Sequence, residues 1–528
     1  MEHQYESSEQ VFSRIFANSL GNRIVTSQPK IATVFGEWEK DSSLVSNLEK
    51  NEALKSILLA ETPWVLDARF ESAKKKSVAN LFNIEKTKRE TKENLSKLGR
   101  MQNSSGAFPW FSGGRDNFFI TMHIVAGFGH LQNLDINLDA HKILANSIEY
   151  MDKEFLKNWK ESQRFTSKED FYKSNFALHY LHARSYHLGS FPFSEGTKWV
   201  ADKVMEAQKE SWLQNEVHDK GILALILNRN GEKDKAVEIL NALKESSVTS
   251  EDYGMYWKEN KPTWFFSRTP VETQAMLIEA FSEILNDEDS VEEMKIWLLQ
   301  NKRTNHWATT KATTAACYAL PMKGGDWLPL SENTRVSIGG HHIEPEKLAE
   351  TEKEAGTGYF KLNWVGKEVN DNFGNIKIEN NNTTTGYGGA YWHYFEELEK
   401  IEDHTESPLN VEKELYLNKE NKLEKITPQT SIKTGDIVTL RLVIKSTADM
   451  DFVHLKDMRA SGFEPTDVLS EYKYRDNNYY YQSTRDAATH FFFDHLKKGA
   501  YVLEYTVRAN NGGDFSNGVT LIESMYSP

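Results

Sequence analysis

The sequence predicts a chain of several domains, in which an all-α part is followed by all-β parts. Three observations lead to this prediction. A helical pattern runs from about Ser8 to Leu320, short strand-like runs begin after Pro321, and the C-terminal part alternates strictly between apolar and polar residues. A length of 528 residues favours roughly three or four domains and allows a sizeable core.

The helical part is recognised by stripes of apolar residues on one helix face. Leu144, Ile148, Met151 and Phe155 follow one another at helical spacing, and a similar stripe runs over 271–285. Gly, Pro, Asn or Asp residues separate further predicted helices, which lie near 119–131, 170–187, 199–214, 233–245 and 291–300.

The middle part changes to short β-strands. Strand-like runs occupy Arg335–Ile338, Tyr359–Val365 and Ile376–Glu379, and the pair Ser407-Pro408 marks the next boundary. Such runs of β-branched and aromatic residues, bounded by turn residues, are typical of strands.

The last part predicts a β-sandwich. Val438, Leu440, Leu442 and Ile444 lie on one strand face, and the run 501–507 repeats the alternation. Short strands at this spacing, joined by Gly-Asp and Asn-Asn-Gly-Gly turns, are typical of antiparallel sandwiches.

Composition excludes several functional classes. A net charge of −14, from 63 basic and 77 acidic residues, argues against nucleic acid as a principal partner. No apolar run is long enough to span a membrane, and the N-terminus lacks the pattern of a signal peptide. The single cysteine, Cys317, allows no intrachain disulfide, and its helical, apolar neighbours predict a buried thiol.

The first predicted helix begins with a capping box. Ser7 is placed as the N-cap, and Gln10, three residues later, can return a hydrogen bond to the backbone of the cap. This geometry brings the two side chains into contact. With a cysteine at the first position, the same contact would allow a thiolate and a glutaminyl carbonyl to close an internal thioester.

The stretch from Tyr5 to Gln10 resembles the Tyr-x-Cys-x-Glu-Gln thioester motif of the bacterial alpha-2-macroglobulins. Glu9 and Gln10 match the motif, whereas Ser7 stands where the family has cysteine. A serine hydroxyl has a far higher pKa than a thiol and needs an activating base, which the sequence does not identify. We therefore expect Ser7 and Gln10 to form a capped helix end without covalent activity. Whether this serine is natural or engineered stays open.

Longer segments extend the resemblance over nearly the whole chain. Gly106–Asp116 and Thr304–Thr313 resemble segments of the family's thioester domain. Gly499–Ala509 and Glu523–Tyr526 resemble segments of its last macroglobulin domain.

The resemblance implies three domains and a place in a longer protein. Residues 1–325 would form an α/α toroid, 326–407 the distal half of a CUB-like domain, and 408–528 the terminal macroglobulin-like β-sandwich. The chain would then be the C-terminal portion of an exported protein, periplasmic or at the cell surface, whose export signals are absent from this chain.

The resemblance also implies a function, which is inhibition of proteases by entrapment rather than enzymatic activity. In a cysteine-containing parent, a lysine of the attacking protease would react with the thioester and become tethered. Proteases would be partners of the full-length parent. We expect a monomer that uses no cofactor or metal, and that does not inhibit proteases by itself, since the upstream domains would hold the bait region.

Two other functions remain open at this stage. The first is a protein-interaction module that has lost the thioester. The second is a carbohydrate-active toroid enzyme, in which Asp116, Glu272 and Glu279 would supply acid and base groups in a cavity.

Histidines offer one further hypothesis. His179 and His182 lie on one helical face and are suited to bind a metal, but no carboxylate or cysteine is obviously placed with them. We interpret them as ordinary helix histidines. His123 and His130 lie in an apolar helix and are expected to pack inside the helical part.

Overall fold

The computed structural model describes residues 6–27, 63–64, 84–165, 167–250, 253–261, 269–302, 307, 309–322, 334–344, 352–354, 359–381, 389–397, 400–402, 407–420, 422–475 and 478–525. Tyr5, Tyr526 and Thr304–His306, which support the resemblance, lie outside these residues. The chain forms two compact units, Met1–Asp41 with Lys76–Thr385 and Ser42–Lys75 with Gly386–Pro528.

The first unit is mainly helical, as predicted. Its described helices are α1 Ser8–Ser27, α2 Ile84–Met101, α3 Phe118–Asn133, α4 His141–Phe165, α5 Lys168–Tyr172, α6 Asn175–Ser185, α7 Glu195–Ser211, α8 Val217–Arg229, α9 Lys233–Glu245, α10 Pro270–Ala280, α11 Glu288–Lys302 and α12 Thr310–Ala319. A π-helical turn, Phe281–Leu285, continues α10.

Six of these helices pack in a closed cycle. α1 packs against α3, α3 against α6, α6 against α8, α8 against α10, α10 against α12, and α12 returns to α1. We call these six helices the helical ring. The helices α2, α4, α7, α9 and α11 pack against α1, α3, α6, α8 and α10 in turn, so each of those ring helices has a second helix beside it.

The apolar stripes form the core between these helices. The predicted stripe from Leu144 to Phe155 is buried along α4, and the ring of Phe12 on α1 lies 5.0 Å from that of Phe128 on α3. Glycine is required at position 127, because a Cβ there would lie 2.3 Å from the Phe12 ring. Close contact between α1 and α3 therefore depends on a residue without a side chain.

Two details of the helical prediction need correction. The segment predicted as one helix over 170–187 is broken between α5 and α6, because Ser174 turns out to be the N-cap of α6 and accepts a hydrogen bond from the Ala177 amide at 3.2 Å. A short antiparallel hairpin, β1 Val248–Ser250 and β2 Gly254–Tyr256, also interrupts the helices.

The middle of the chain contains small antiparallel sheets within the first unit. β3 Arg335–Ile338 lies between β4 His341–Ile343 and β7 Ile376–Glu379, while β5 Glu352–Glu354 pairs with β6 Tyr359–Lys361. The strand predicted at Tyr359–Val365 is thus shorter than expected.

The second unit contains two five-stranded antiparallel sheets in its C-terminal part. Their strands are β8 Leu409–Lys419, β9 Lys422–Lys425, β10 Ile437–Ser446, β11 Met450–Met458, β12 Phe463–Pro465, β13 Glu471–Arg475, β14 Asn478–Thr484, β15 Ala488–Leu496, β16 Gly499–Ala509 and β17 Thr520–Ser524. The strand orders are β12-β16-β10-β8-β9 and β13-β14-β15-β11-β17.

The predicted apolar faces of β10 and β16 pair directly. Val438 is opposite Val507, and Leu442 is opposite Leu503. These side chains share one core with residues of the other sheet, including Phe491, so the two sheets pack face to face around a common core.

Among the helices of the described ranges, none is both long enough and apolar enough to cross a membrane.

Candidate functional site

The start of α1 carries the predicted capping box. The Ser7 amide donates to Gln10 Oε1 at 3.1 Å, and the Gln10 amide donates to Ser7 Oγ at 3.1 Å. Two amides that a helix start leaves without intrahelical partners are satisfied by this exchange. Ser7 is only 5% exposed, and Gln10 is partly buried.

The loop that precedes α3 covers this helix start. The Ser8 amide donates to the Trp110 carbonyl at 2.9 Å, and the Ser8 hydroxyl donates to the Pro109 carbonyl at 2.6 Å. Ser7 also forms an antiparallel bridge with Phe111. The same loop is hydrogen-bonded to α3. The segment Gly106–Asp116, which resembles part of the family's thioester domain, therefore lies against residues 7 and 8.

Glu9 joins α1 to the last ring helix. Its carboxylate accepts hydrogen bonds from Thr310 Oγ1 at 3.0 Å and from Ser13 Oγ at 2.9 Å. An acidic group in the first turn of a helix is also favoured by the helix dipole. Three segments that are far apart in sequence, around residues 7, 110 and 310, therefore meet at one place. Tyr5, the remaining motif residue, lies outside the described residues.

The arrangement does not activate Ser7 as a nucleophile. Its hydroxyl oxygen accepts the Gln10 amide, and among the described residues no imidazole, carboxylate or amine is hydrogen-bonded to it. A serine attacks a carboxamide only with a base to remove its proton. The observed geometry therefore holds Ser7 and Gln10 in contact but supplies no base, among the described residues, for a covalent bond to form between them.

The interior of the helical ring holds a second polar site, centred on Glu279. This carboxylate, which is 2% exposed, accepts hydrogen bonds from Tyr186 Oη at 2.7 Å, Tyr318 Oη at 2.9 Å and an Arg229 nitrogen at 2.7 Å. Burial alone would raise the pKa of Glu279, but Arg229 and the other donors hold it below its usual value. Glu279 is thus an ionised, fully bonded group.

Two histidines of α3 line the same interior, as predicted. Burial lowers the pKa of His123 to about 3 and that of His130 to about 4. His130 stacks on Tyr318, with ring centroids 4.1 Å apart, and its Nε2 lies 3.1 Å from Tyr186 Oη. Both imidazoles are therefore neutral near neutral pH.

The carboxylates proposed for a glycosidase do not form the required site. Glu272 and Glu279 line a cavity of about 130 Å³, but Asp116 is exposed on the loop before α3 and accepts a bond from Asn103 at 2.7 Å. Pockets for drug-sized ligands usually have a volume of about 300 Å³ or more, which is at least twice the volume of this cavity. The cavity therefore gives no support to a carbohydrate-active enzyme.

The remaining candidate residues from the sequence are Cys317, His182 and His179. Cys317 lies half-buried in α12, and burial raises the pKa of its thiol. His182 Nε2 lies 3.3 Å from Tyr186 Oη. His179, in contrast, lies beside His218 and Asp219 of α8, an arrangement that the sequence did not reveal.

Part of the chain matches a model of a known protein family. The family described as "Bacterial Alpha-2-macroglobulin MG10 domain" matches residues 409–528, which contain all the strands of the two five-stranded sheets.

Solved structures of bacterial alpha-2-macroglobulins show similarity at low sequence identity. Escherichia coli alpha-2-macroglobulin activated by porcine elastase is 14% identical, with 84% of this chain and 37% of that chain covered and a TM-score of 0.37. The Escherichia coli protein from domain MG7 to the C-terminus is 15% identical, with 84% and 66% covered and a TM-score of 0.31. Salmonella alpha-2-macroglobulin reacted with methylamine is 13% identical, with 84% of this chain and 27% of that chain covered and a TM-score of 0.34. The chain spans about a third of the length of the first of these structures.

A search of curated proteins gives a short match. The chain is 27% identical to "Circularly permutated Ras protein 2" of Dictyostelium discoideum over 97 residues. These residues are 18% of this chain and 2% of that protein. Such a small share of either protein has no bearing on function.

Proposed function

Because residues 409–528 match the bacterial alpha-2-macroglobulin MG10 domain, we propose that the chain belongs to the bacterial alpha-2-macroglobulin family and is the C-terminal portion of a protease-trapping inhibitor. In this proposal, Ser7 occupies the position of the thioester cysteine and leaves the covalent step disabled. Partners of the full-length protein are proteases, and its location is the periplasm or the cell surface.

The observation that carries this proposal is the reciprocal contact of Ser7 and Gln10. Hydrogen bonds of 3.1 Å in each direction hold the two residues together, and Ser7 is 5% exposed. A thioester needs the nucleophile and the carboxamide side by side, and it needs protection from water because it hydrolyses. The contact of Ser7 with Gln10 and the burial of Ser7 both support the proposal.

The chemistry depends on a thiol at position 7. A cysteine thiolate would attack the Gln10 carboxamide carbon, the C–N bond would break, and ammonia would leave as the thioester forms. A protease lysine amine would then attack the thioester carbonyl, forming an amide while the C–S bond breaks and the thiol is released. Serine is a poor nucleophile here, since no base is hydrogen-bonded to its hydroxyl within the described residues.

The domain arrangement fits this function. We interpret the helical ring, with its partner helices, as the α/α toroid of a thioester domain, and residues 326–407 as the distal half of a CUB-like domain. The closed packing order of α1, α3, α6, α8, α10 and α12 supports the first interpretation. The small sheets formed by β3, β4 and β7 and by β5 and β6 are compatible with the second.

Mass spectrometry on a Ser7→Cys variant of the full chain tests the proposal. We expect a mass lower by one ammonia than the calculated mass, and a gain of one methylamine when the variant is treated with that amine. The matched control is Ser8→Cys, which places a thiol one residue away, where the wild-type hydroxyl bonds to the Pro109 carbonyl. This control should keep its calculated mass and a free thiol. A Ser7→Cys protein with full mass would contradict the proposal.

A tethering assay tests the second step. After incubation with a protease, Ser7→Cys should give a covalent conjugate that survives denaturing electrophoresis, whereas the wild-type chain should give none. Neither form is expected to protect a large substrate from cleavage by free protease, since a cage needs the upstream domains. A conjugate with the wild-type chain would show that Ser7 is active and overturn the proposal.

A protein-interaction module without covalent chemistry is the second candidate. Exposed aromatic rings beside the helix start favour it, since Trp110 is 41% and Phe111 is 54% exposed. Failure of Ser7→Cys to close a thioester, in a protein that remains folded, would shift support to this candidate.

A further inference from the structure

Two neighbouring helices of the ring bring together three side chains that bind metals in other proteins. His179 lies on α6, and His218 and Asp219 lie in the first turn of α8. One ligand atom from each residue lies within 4.8 Å of the others. His179 Nε2 is 3.5 Å from an Asp219 carboxylate oxygen, and the two imidazole rings are 5.3 Å apart between centroids.

His179 differs from a typical buried histidine, whose ring nitrogens have hydrogen-bond partners. Its side chain is 12% exposed, and its Nε2 has no hydrogen-bond partner among the residues that the structure describes. A buried ring nitrogen left in this way costs free energy. The Asp219 side chain is 5% exposed, and its carboxylate lies within reach of the same nitrogen. A cation between these groups would give His179 Nε2 the partner that it lacks among the described residues.

We propose that His179, His218 and Asp219 bind one divalent transition-metal cation of the zinc class between α6 and α8. Zinc bonds to nitrogen and oxygen are about 2.0–2.1 Å long, so two ligand atoms of a tetrahedral site lie about 3.3–3.5 Å apart. His179 and Asp219 already have this spacing. The third ligand atom lies within 4.8 Å of both.

The environment of His218 fits the role of a ligand. Its Nδ1 lies 3.4 Å from Thr273 Oγ1 on α10, and in the proposed site its Nε2 is the metal ligand. Metal-binding histidines are commonly oriented by such a bond to the other ring nitrogen. His182, one turn after His179, is not part of the set, because its Nε2 contacts Tyr186 Oη at 3.3 Å.

The fourth position of the site faces the cavity of the ring. His179 and His218 line this cavity, whose volume of about 130 Å³ has room for water. Three protein ligands and one open position are the pattern of zinc sites that keep a bound water. The proposal does not depend on the chemistry of Ser7 and goes beyond the proposed function.

Metal titration of the full chain tests this inference. After treatment with a chelator, we expect the wild-type protein to bind one equivalent of Zn²⁺ by calorimetry, and Co²⁺ to give the intense visible absorption of a tetrahedral site. Affinity should fall about 100-fold or more in His179→Ala and in Asp219→Asn, which remove first ligands. The control His141→Gln removes an exposed histidine of α4 and should bind as the wild type does.

The experiment has clear contrary outcomes. Absence of stoichiometric Zn²⁺ binding to the wild-type chain would overturn the inference. Equal affinity in the wild type and in both ligand variants would also overturn it. Asn has the shape of Asp, and circular dichroism checks that Asp219→Asn is folded. The wild-type titration decides the question even if a variant fails to fold.

Discussion

The start of α1 and the interior of the helical ring are both buried polar sites, but they are built in different ways. At the start of α1, Ser7 and Gln10 exchange hydrogen bonds three residues apart. In the interior, the donors to Glu279 come from the ends of α3, α6 and α8 and from α12. The first site needs one helix to form, whereas the second exists only when the ring is closed.

This difference predicts unequal costs of mutation. At the start of α1, loss of the Ser7 hydroxyl leaves one backbone amide without its side-chain acceptor, which costs about 1 kcal/mol. Inside the ring, loss of the cation leaves a buried carboxylate without its charge partner, and such losses cost several times more.

The largest effect is expected for Arg229→Met. Arg229 donates to Glu279 at 2.7 Å, and methionine keeps much of its volume without the charge. Glu279 would remain buried without its cation, which costs about 3–5 kcal/mol of unfolding free energy. Urea unfolding followed by far-ultraviolet circular dichroism measures the loss.

Lys153→Met is the control for this prediction. Lys153 pairs with Glu149 on the exposed face of α4, where ion pairs contribute little, so no measurable change is expected. Equal losses in the two variants would mean that the buried pair stabilises no more than a surface pair.

The next effect concerns pH and His130. Burial first, and then Arg229 and His187, lower the pKa of His130 to about 4, although Glu279 acts to raise it. Between about pH 6.5 and pH 4 the unfolded state therefore binds more protons than the folded state, and stability falls as pH falls. Relative to neutral pH, the expected loss at pH 5 is about 2 kcal/mol for this histidine.

His130→Gln should reduce the loss between pH 7.5 and pH 5 by about this amount. Measurements stay above pH 5 because the ionised Glu279, whose pKa is lowered, affects stability only at lower pH. The exposed His342, on β4, provides the control His342→Gln, which should keep the wild-type pH dependence. An unchanged pH dependence in His130→Gln would show that this imidazole is not kept neutral by folding.

The same distinction explains what the sequence could predict. The contact of Ser7 and Gln10 depends on the spacing of one helix, and the strand faces from Val438 to Ile444 depend on alternation along one strand, so both were predictable. The break before α6 was also marked locally, by the capping residue Ser174.

Contacts between ring helices were not predictable in this way. The sequence analysis found His179 but no carboxylate for it, because Asp219 lies on the next ring helix, 40 residues later in the numbering. Packing of α6 against α8 is a property of the closed ring. The fold brings together only part of the predicted carboxylate set: Glu272 and Glu279 of α10 line one cavity, whereas Asp116 lies exposed on the loop before α3.

A smaller effect is expected at the capping box. Ser7→Ala removes the oxygen that accepts the Gln10 amide and should cost about 1 kcal/mol, the usual value for a lost N-cap. The control Gln10→Glu keeps an acceptor for the Ser7 amide and adds a charge that the helix dipole favours. Urea unfolding should place this control at or above wild-type stability. A loss above about 3 kcal/mol in Ser7→Ala would make this site as costly as the ring interior and remove the contrast between them.

The smallest effect is expected where α1 and α12 meet. Thr310 Oγ1 donates to the Glu9 carboxylate at 3.0 Å in an exposed position, so water can replace either partner. Thr310→Val keeps the shape of the side chain, and Glu9→Gln keeps an acceptor without the charge. A double-mutant cycle of these two changes should give a coupling of about 0.5 kcal/mol or less, measured by urea unfolding. A coupling above about 2 kcal/mol would mean that closure of the ring depends on this contact, and that the start of α1 is a long-range site like the interior.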